Sequence, residues 1–101
     1  MEFEWDEAKS RRNLAERQLP FDLAEMPFEG FVAETIDDRR DYGEKRMRAV
    51  GMVNDIVLAC VYTDRGDTRR IISLRYASRR ERDGYRSAQQ RGDQAGPAAH
   101  S

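Results

Sequence analysis

The chain has 101 residues, of which 39% are hydrophobic and 37% are charged, so it can form one small domain with a compact core and a heavily ionic surface. Its single cysteine excludes an internal disulfide and a cysteine-based zinc site. No apolar run approaches the length of a membrane span and no signal peptide is recognisable, so we expect a soluble protein of the cytoplasm.

The first half of the chain predicts a short strand, two helices and an edge strand. Phe3 and Trp5 alternate with acidic residues, which is the pattern of a strand. Asp6 is a suitable N-cap for the polar segment that follows it. The predicted elements are, in order, a strand over Met1–Trp5, helices over Glu7–Gln18 and Phe21–Phe28, and an edge strand over Phe31–Ile36.

The second half of the chain predicts an antiparallel sheet and a closing helix. The pair Asn54-Asp55 indicates a tight hairpin, and Ile56–Tyr62 is apolar on both faces, as expected of a central strand. Ser78 and Glu81 have the spacing of a capping box at the start of a helix. The predicted elements are a polar loop over Asp37–Tyr42, strands over Glu44–Val53, Ile56–Tyr62 and Arg69–Tyr76, and a helix from Ser78 to about Gln90.

Together these elements predict an α+β domain over residues 1–90. It has a short N-terminal strand and two helices, an antiparallel β-sheet meander and a C-terminal helix. Residues 91–101 are rich in glycine, alanine and proline and are predicted to form a disordered tail. The sheet is expected to carry the core through Ile56, Leu58, Val61, Ile72 and Leu74.

The net charge of −1 conceals a strong asymmetry along the chain. Residues 1–44 contain thirteen acidic and six basic side chains, whereas residues 65–86 contain eight arginines and three acidic side chains. This division predicts one acidic and one basic surface on the same small body. The basic surface suits nucleic acid, and the acidic surface either binds a basic partner or only keeps the protein soluble.

The stretch Arg69–Arg86 carries seven arginines across the predicted junction between the last strand and the last helix. Arginine offers a fork of donors that matches a phosphate, so a polyanion is the expected ligand. A solvated helix face with scattered ion pairs is the favoured interpretation for Arg82 and Arg86 alone. Arg70 and Arg75 are embedded in an apolar strand, which favours a functional role for both.

Several kinds of catalysis are excluded by the residues that are missing. The only histidine, His100, lies in the predicted tail, and the glycine-rich phosphate-binding motifs are absent. The loop carboxylates show no spacing typical of metal ligands. The remaining arginine, tyrosine and glutamate side chains can cleave RNA without a metal or another cofactor. The substrate's 2′-hydroxyl would be the nucleophile, and guanidinium groups would stabilise the transition state.

Proton transfer in such a reaction requires other side chains, because arginine stays protonated. Core packing at the sheet edge is an equal alternative for Tyr76, and helix capping is the favoured interpretation of Glu81. Core packing is favoured over base stacking for Trp5 and Phe21. The sequence does not rank the candidates for proton transfer, which are Tyr42, Glu44, Tyr76, Glu81 and Tyr85.

Three motifs taken together resemble the BrnT family of bacterial toxins: FEWDEAKSRRN, DYGEKR and RRIISLRYASRRER. They extend from about Phe3 to Tyr85. The resemblance implies a metal-independent endoribonuclease of a type II toxin–antitoxin module that halts translation and has a fold similar to RelE toxins. It also implies a cognate antitoxin, BrnA, that binds operator DNA and neutralises the toxin in a hetero-oligomeric complex.

The resemblance and the arginine pattern together give the candidate site residues. The candidate catalytic residues are Glu44, Arg70, Arg75, Tyr76, Arg79 and Arg80. The candidate substrate-binding residues are Arg17, Arg46, Arg69, Ser73, Ser78 and Arg82, and no metal ligand is among them. Many members of the family carry Lys-His-Gly where this chain has Glu16, Arg17 and Gln18. Arg17 can replace the charge of that histidine but not its proton transfer, so the departure implies either weaker activity or a structural position.

Two other functions are compatible with the sequence. A non-catalytic RNA- or DNA-binding module would bind through phosphate contacts, and its affinity would fall steeply with salt. A protein-interaction domain would dock its basic face on acidic residues of a partner. An antitoxin that covers the basic face would combine two of these functions.

Overall fold

The computed structural model describes residues 1–92, which form a five-stranded sheet with helices packed on both of its faces. The fold is α+β, as the sequence predicts. The predicted tail, residues 91–101, lies outside the described residues apart from Arg91 and Gly92. In chain order the elements are β1 (Glu2–Glu4), α1 (Glu7–Arg17), a 3₁₀ helix (Phe21–Glu29), β2 (Val32–Ile36), β3 (Met47–Val53), β4 (Ile56–Arg65), β5 (Thr68–Tyr76) and α2 (Arg79–Gln90).

The strand order across the sheet is β1-β5-β4-β3-β2. Strands β2 to β5 pair in antiparallel fashion. The sheet as a whole is mixed rather than antiparallel, because β1 pairs with β5 in parallel and places Phe3 opposite Arg69. The alternation of Phe3 and Trp5 indicates a strand but carries no information about its partner, which lies more than sixty residues along the chain.

Individual residues explain where α1 begins and ends and why the next helix is of the 3₁₀ type. The Asp6 carboxylate accepts a hydrogen bond of 3.1 Å from the backbone N–H of Lys9 and caps α1. Gln18 adopts a left-handed conformation, with a φ of 62°, and ends the helix one residue before the predicted boundary. The next segment is a 3₁₀ helix rather than an α-helix, and Pro27 within it has no N–H for an α-helical hydrogen bond.

The loop before β3 is longer than predicted. Strand β4 is also longer than predicted, because it continues to Arg65 instead of ending at Tyr62. Strand β3 begins at Met47 rather than at Glu44, and residues 37–46 fold against the sheet as a loop. The Thr63 hydroxyl donates to the Lys45 carbonyl at 2.8 Å and ties this loop to β4. The predicted hairpin is confirmed. Its turn residues Asn54 and Asp55 have φ values of 48° and 70°, so both adopt the left-handed backbone conformation.

Two apolar clusters lie on opposite faces of the sheet. We call the face that α1 and the 3₁₀ helix cover the α1 face, and the face that α2 covers the α2 face. Leu74 lies in the first cluster, and Tyr85 of α2 lies in the second. Residues 57–63 of β4 are all buried, which confirms the predicted central strand. The prediction of a core position is wrong for Ile56, which is 49% exposed because it begins β4 directly after the hairpin, and Ile72 is only partly buried.

Gly51 allows the 3₁₀ helix to approach β3 closely. A Cβ atom at this position would lie 2.7 Å from the Cβ of Pro27 and 3.0 Å from a methyl group of Val32. This contact seats the 3₁₀ helix on the α1 face. None of the helices within residues 1–92 is both long enough and apolar enough to cross a membrane.

Candidate functional site

Helix α2 packs on the apolar half of its sheet face, and the other half carries arginines. Arg48 of β3 and Ser73 of β5 both pair with Val61, so the two side chains point to the same face. Arg75 lies two residues beyond Ser73 and shares that face. The three side chains therefore lie on the α2 face near the start of α2.

Arg75 is held in a fixed orientation by Glu81. Its two terminal nitrogens donate to the two carboxylate oxygens at 2.7 and 2.9 Å. The same carboxylate accepts a hydrogen bond from the Ser78 N–H, and the Ser78 hydroxyl accepts one from the Glu81 N–H, so the predicted capping box is confirmed. The bonds from Arg75 and then from Ser78 lower the pKa of Glu81 to about 2. Glu81 thus stays ionised and joins the helix start to the guanidinium group.

A second arginine is fixed in the same manner at the end of β2. Arg39 donates to both oxygens of Asp37 at 2.7 and 2.9 Å. The Asp37 carboxylate is fully buried, whereas the Arg39 side chain is 65% exposed. The hydrogen bonds from Arg39 lower the pKa of Asp37 despite its burial. Repulsion from Arg39 opposes the rise in the pKa of Arg75 that Glu81 causes, so the two guanidinium groups lie within electrostatic range of each other.

Arg48 lies between these two pairs. Its Nε atom is 3.9 Å from the nearer Glu81 oxygen, and its charge also lowers the pKa of Asp37. We call Arg39, Arg48 and Arg75, with Asp37 and Glu81, the arginine cluster. Three guanidinium groups face two carboxylates, and each guanidinium has five donors, so donors remain for an anion. Residues 1–92 contain no group of three or more histidine, cysteine, aspartate or glutamate residues arranged to hold a metal ion.

The first turn of α2 adds exposed positive charge next to the arginine cluster. Arg79 and Arg80 are exposed and make no ion pair with any of residues 1–92. Positive charges at a helix N-terminus oppose the helix dipole, and a bound anion would relieve this conflict. Arg82, a predicted substrate contact, instead donates to the Ala77 carbonyl at 2.9 Å.

The remaining arginines of β5 are divided between the two faces of the sheet by a β-bulge. Val61 pairs with Ser73 and Tyr62 pairs with Ile71, so Ile72 is the extra residue. As a result, Arg70 shares the α2 face with Arg75, although the two lie five positions apart and simple alternation would put them on opposite faces. Arg70 forms an ion pair with Glu4 at the sheet edge, in which its Nη1 atom lies 3.3 Å from a carboxylate oxygen.

Arg69 lies on the opposite face and is already engaged. It donates to both oxygens of Asp64 at 2.8 and 2.9 Å. Its guanidinium carbon lies 4.0 Å from the centre of the Tyr62 ring and 4.8 Å from that of Phe28. The structure therefore does not bring Arg69 together with Arg75.

Two other candidates lie in the loop before β3. The Nε atom of Arg46 donates a hydrogen bond of 3.2 Å to the Glu44 carboxylate. Its guanidinium carbon lies 3.9 Å from the centre of the Tyr42 ring. Arg65 donates to the other oxygen of Glu44 at 3.3 Å. Burial raises the pKa of Glu44, but the hydrogen bonds from the two arginines lower it by more, so the pKa lies below its usual value.

The last candidates lie at the edge of β5. A cavity of about 250 Å³ lies between α1 and the part of β5 that β1 does not cover, and its lining includes Arg17 and Ser73 but not Glu44. Tyr76 pairs with Leu58, which directs its side chain to the α1 face, and it is 48% exposed. Core packing is therefore the wrong interpretation for Tyr76. It is confirmed for Phe21, which is buried, and for Trp5, which packs against the same cluster.

Sequence reasoning missed Arg39, Arg48 and Asp37 as site residues. Arg48 could have been predicted as a site residue, because it is an arginine within an apolar strand, as Arg75 is. Arg39 could not have been predicted, because only the fold of the loop over residues 37–46 brings it near Arg75.

A family model described as "Ribonuclease toxin, BrnT, of type II toxin-antitoxin system" matches residues 5–81. The matched range includes the whole arginine cluster and the capping box. A search among curated proteins gives no match. Because the family model covers well over half of the chain, the protein belongs to the BrnT family of ribonuclease toxins, which act together with an antitoxin.

Proposed function

We propose that this chain is a metal-independent endoribonuclease that cleaves RNA through the substrate's own 2′-hydroxyl and thereby inhibits translation. The arginine cluster carries the proposal, because carboxylates hold the guanidinium groups of Arg39 and Arg75 in place before any ligand arrives. As the 2′-hydroxyl attacks the phosphate, negative charge grows on the phosphoryl oxygens. Cations that are already in position stabilise this charge without reorganisation.

The geometry suggests a division of roles within the site. Arg75 is the best placed to contact the reacting phosphate, because two hydrogen bonds to Glu81 fix its orientation. Arg48 lies beside it and would share the contact. Arg39 is held by Asp37 and its side chain is 65% exposed, so it can contact a phosphate that reaches the arginine cluster.

Other arginines would bind the flanking phosphates of the RNA. Arg79 and Arg80 extend the positive surface along α2, and Arg70 and Arg46 extend it across the sheet. Arg69 and Arg82 make structural contacts instead, and we assign them no contact with RNA.

One observation favours the non-catalytic alternative, a module that only binds RNA. The carboxylates of the arginine cluster have lowered pKa values, about 2 for Glu81, so neither is a good base. Glu44 is similarly held by Arg46 and Arg65. A catalytic reaction would need its proton acceptor from another group or from water held at the site.

Family membership supports the wider setting of the proposal. We place the toxin in the cytoplasm, where its substrate is, and assign it a BrnA-like antitoxin that neutralises it in a hetero-oligomeric complex. The mixed sheet with helices on both faces is compatible with a fold relationship to RelE toxins.

The test is cleavage of a defined RNA and of its 2′-deoxy counterpart in EDTA. Attack by the 2′-hydroxyl expels the 5′-oxygen of the next nucleotide, so the products must carry a 2′,3′-cyclic phosphate and a 5′-hydroxyl. We expect these ends from the RNA and no cleavage of the deoxy substrate. RNA that stays intact, also on translating ribosomes, but binds in a salt-sensitive manner would establish the binding module instead.

A further inference from the structure

An open cavity of about 420 Å³ lies on the α1 face, on the other side of the sheet from the arginine cluster. The 3₁₀ helix and the start of β2 contribute most of its wall. We call it the acidic cleft, because three acidic side chains line it together with four apolar ones. The acidic residues are Glu25, Glu29 and Glu34, the apolar ones are Met1, Phe3, Phe28 and Val32, and Gly30 and Arg69 complete the lining.

Three carboxylates line the acidic cleft against one cationic side chain, that of Arg69. Glu25, Glu29 and Glu34 make no ion pair with any of residues 1–92. Glu34 accepts a hydrogen bond from the Tyr62 hydroxyl. Hydrogen bonding to Asp64 raises the pKa of Arg69, and the charge of Glu34 raises it further. Arg69 also lines the cleft, but Asp64 binds it through both carboxylate oxygens. The cleft therefore combines negative charge with apolar surface.

We propose that the acidic cleft is the docking site for a basic segment of the cognate antitoxin. Lysine and arginine side chains suit it, because their aliphatic stems can cover Phe3 and Phe28 while their charged heads reach the carboxylates. RNA does not suit it, because its phosphates carry the same charge as the rim. This inference deepens the proposed function by naming the surface that the antitoxin binds, and it rests on the family's pairing with an antitoxin.

The position of the cleft separates binding from inhibition. A short basic segment in the cleft leaves the arginine cluster accessible on the opposite face of the sheet. Neutralisation then requires the rest of the antitoxin to extend around the sheet. The acidic first half of the chain thus has a specific role beyond solubility.

The first experiment uses a defined probe, a blocked five-residue peptide that alternates lysine and leucine. We expect its titration into ¹⁵N-labelled toxin to shift the amide resonances of Phe3, Gly30 and Glu34 and to leave that of Arg75 unchanged. RNA cleavage should continue at saturating peptide. Shifts centred on other acidic surfaces, or equal shifts from a peptide with glutamate in place of lysine, would overturn the proposal.

The second experiment measures the affinity of the purified cognate antitoxin for charge-reversed toxin. The variant Glu25→Lys/Glu29→Lys should raise Kd by about 10- to 100-fold, and the effect should shrink at high salt. The matched control, Glu16→Lys/Asp22→Lys, reverses two exposed acids outside the cleft and should change Kd by less than about threefold. An equal loss in both variants, or no loss in either, would refute the docking site.

Two further measurements keep the outcomes distinct. If the reversed variant does not fold by circular dichroism, Glu25→Gln/Glu29→Gln removes the same charges with little change in shape and should still weaken binding. RNA cleavage by the toxin alone should be equal in wild type and in the reversed variant. A wild-type toxin that cleaves no RNA but loses its antitoxin on reversal would refute the nuclease and leave the docking site standing.

Discussion

The coupling between Glu81, Arg75 and the start of α2 predicts a stability that depends on pH. The pKa of Glu81 falls from 4.5 to about 2 on folding, mainly through the hydrogen bonds from Arg75. At 1.36 kcal/mol for each pKa unit, this corresponds to at most about 3.4 kcal/mol. Solvent reaches 37% of the Arg75 side chain and 18% of the Glu81 side chain, so screening reduces the contribution to about 1–2 kcal/mol.

The sign follows from the direction of the shift. A group whose pKa is lowered by folding stabilises the folded state above its ordinary pKa, and this stabilisation is lost as the pH falls towards the lowered value. The free energy of unfolding of wild type should therefore exceed that of Glu81→Gln by about 1–2 kcal/mol at pH 7. The difference should shrink progressively between pH 4.5 and about 2.

Urea denaturation of both proteins across this pH range measures the difference directly. Asp83→Asn is the matched control, because Asp83 is an exposed acid on the same helix that makes no ion pair with residues 1–92. Its effect should stay below about 0.5 kcal/mol at every pH. A Glu81→Gln difference that is absent at pH 7, or that does not change with pH, would contradict the stabilising role of the Glu81–Arg75 pair.

Three other substitutions test separate parts of the account. Gly51→Ala should destabilise the protein by about 1–3 kcal/mol in thermal denaturation, because its Cβ would lie 2.7 Å from that of Pro27. Gln18→Gly should stabilise it by about 0.5–1 kcal/mol, because glycine adopts a φ of 62° without strain. Arg48→Ala should lower the slope of log affinity for RNA against log salt by about one, whereas Arg86→Ala on the exposed side of α2 should leave the slope nearly unchanged.

Each of these substitutions has an outcome that contradicts its argument. An unchanged melting temperature for Gly51→Ala would mean that the 3₁₀ helix can move away from β3 at no cost. A destabilised Gln18→Gly would mean that the Gln18 side chain contributes more than its backbone strain costs. Equal salt slopes for Arg48→Ala and wild type would remove Arg48 from the phosphate-binding set.

Local patterns in the sequence predict the elements of this fold well. The capping box at Ser78 and Glu81, the hairpin at Asn54-Asp55 and the doubly buried strand β4 depend on neighbouring residues, and all three are confirmed. Long-range pairing is not encoded locally. The parallel partner of β1 could not be inferred for this reason.

The arrangement of the arginines depends on one such non-local feature. The bulge at Ile72 shifts the alternation of β5, so Arg69 and Arg75 lie on opposite faces although they are six positions apart. Simple alternation would place them on the same face. Likewise, a loop with no periodicity brings Arg39 to the site. Composition identified the basic surface, but only the fold selects which arginines form it.

The central claim is that the arginine cluster cleaves RNA, and the cleavage rate of an Arg75 variant tests it most directly. Single-turnover cleavage of one RNA in EDTA would be compared for wild type, Arg75→Ala and Arg86→Ala, with folding checked by circular dichroism. We predict a loss of about 10²- to 10³-fold for Arg75→Ala and a rate near wild type for Arg86→Ala. A folded Arg75→Ala protein that cleaves as fast as wild type would contradict the claim.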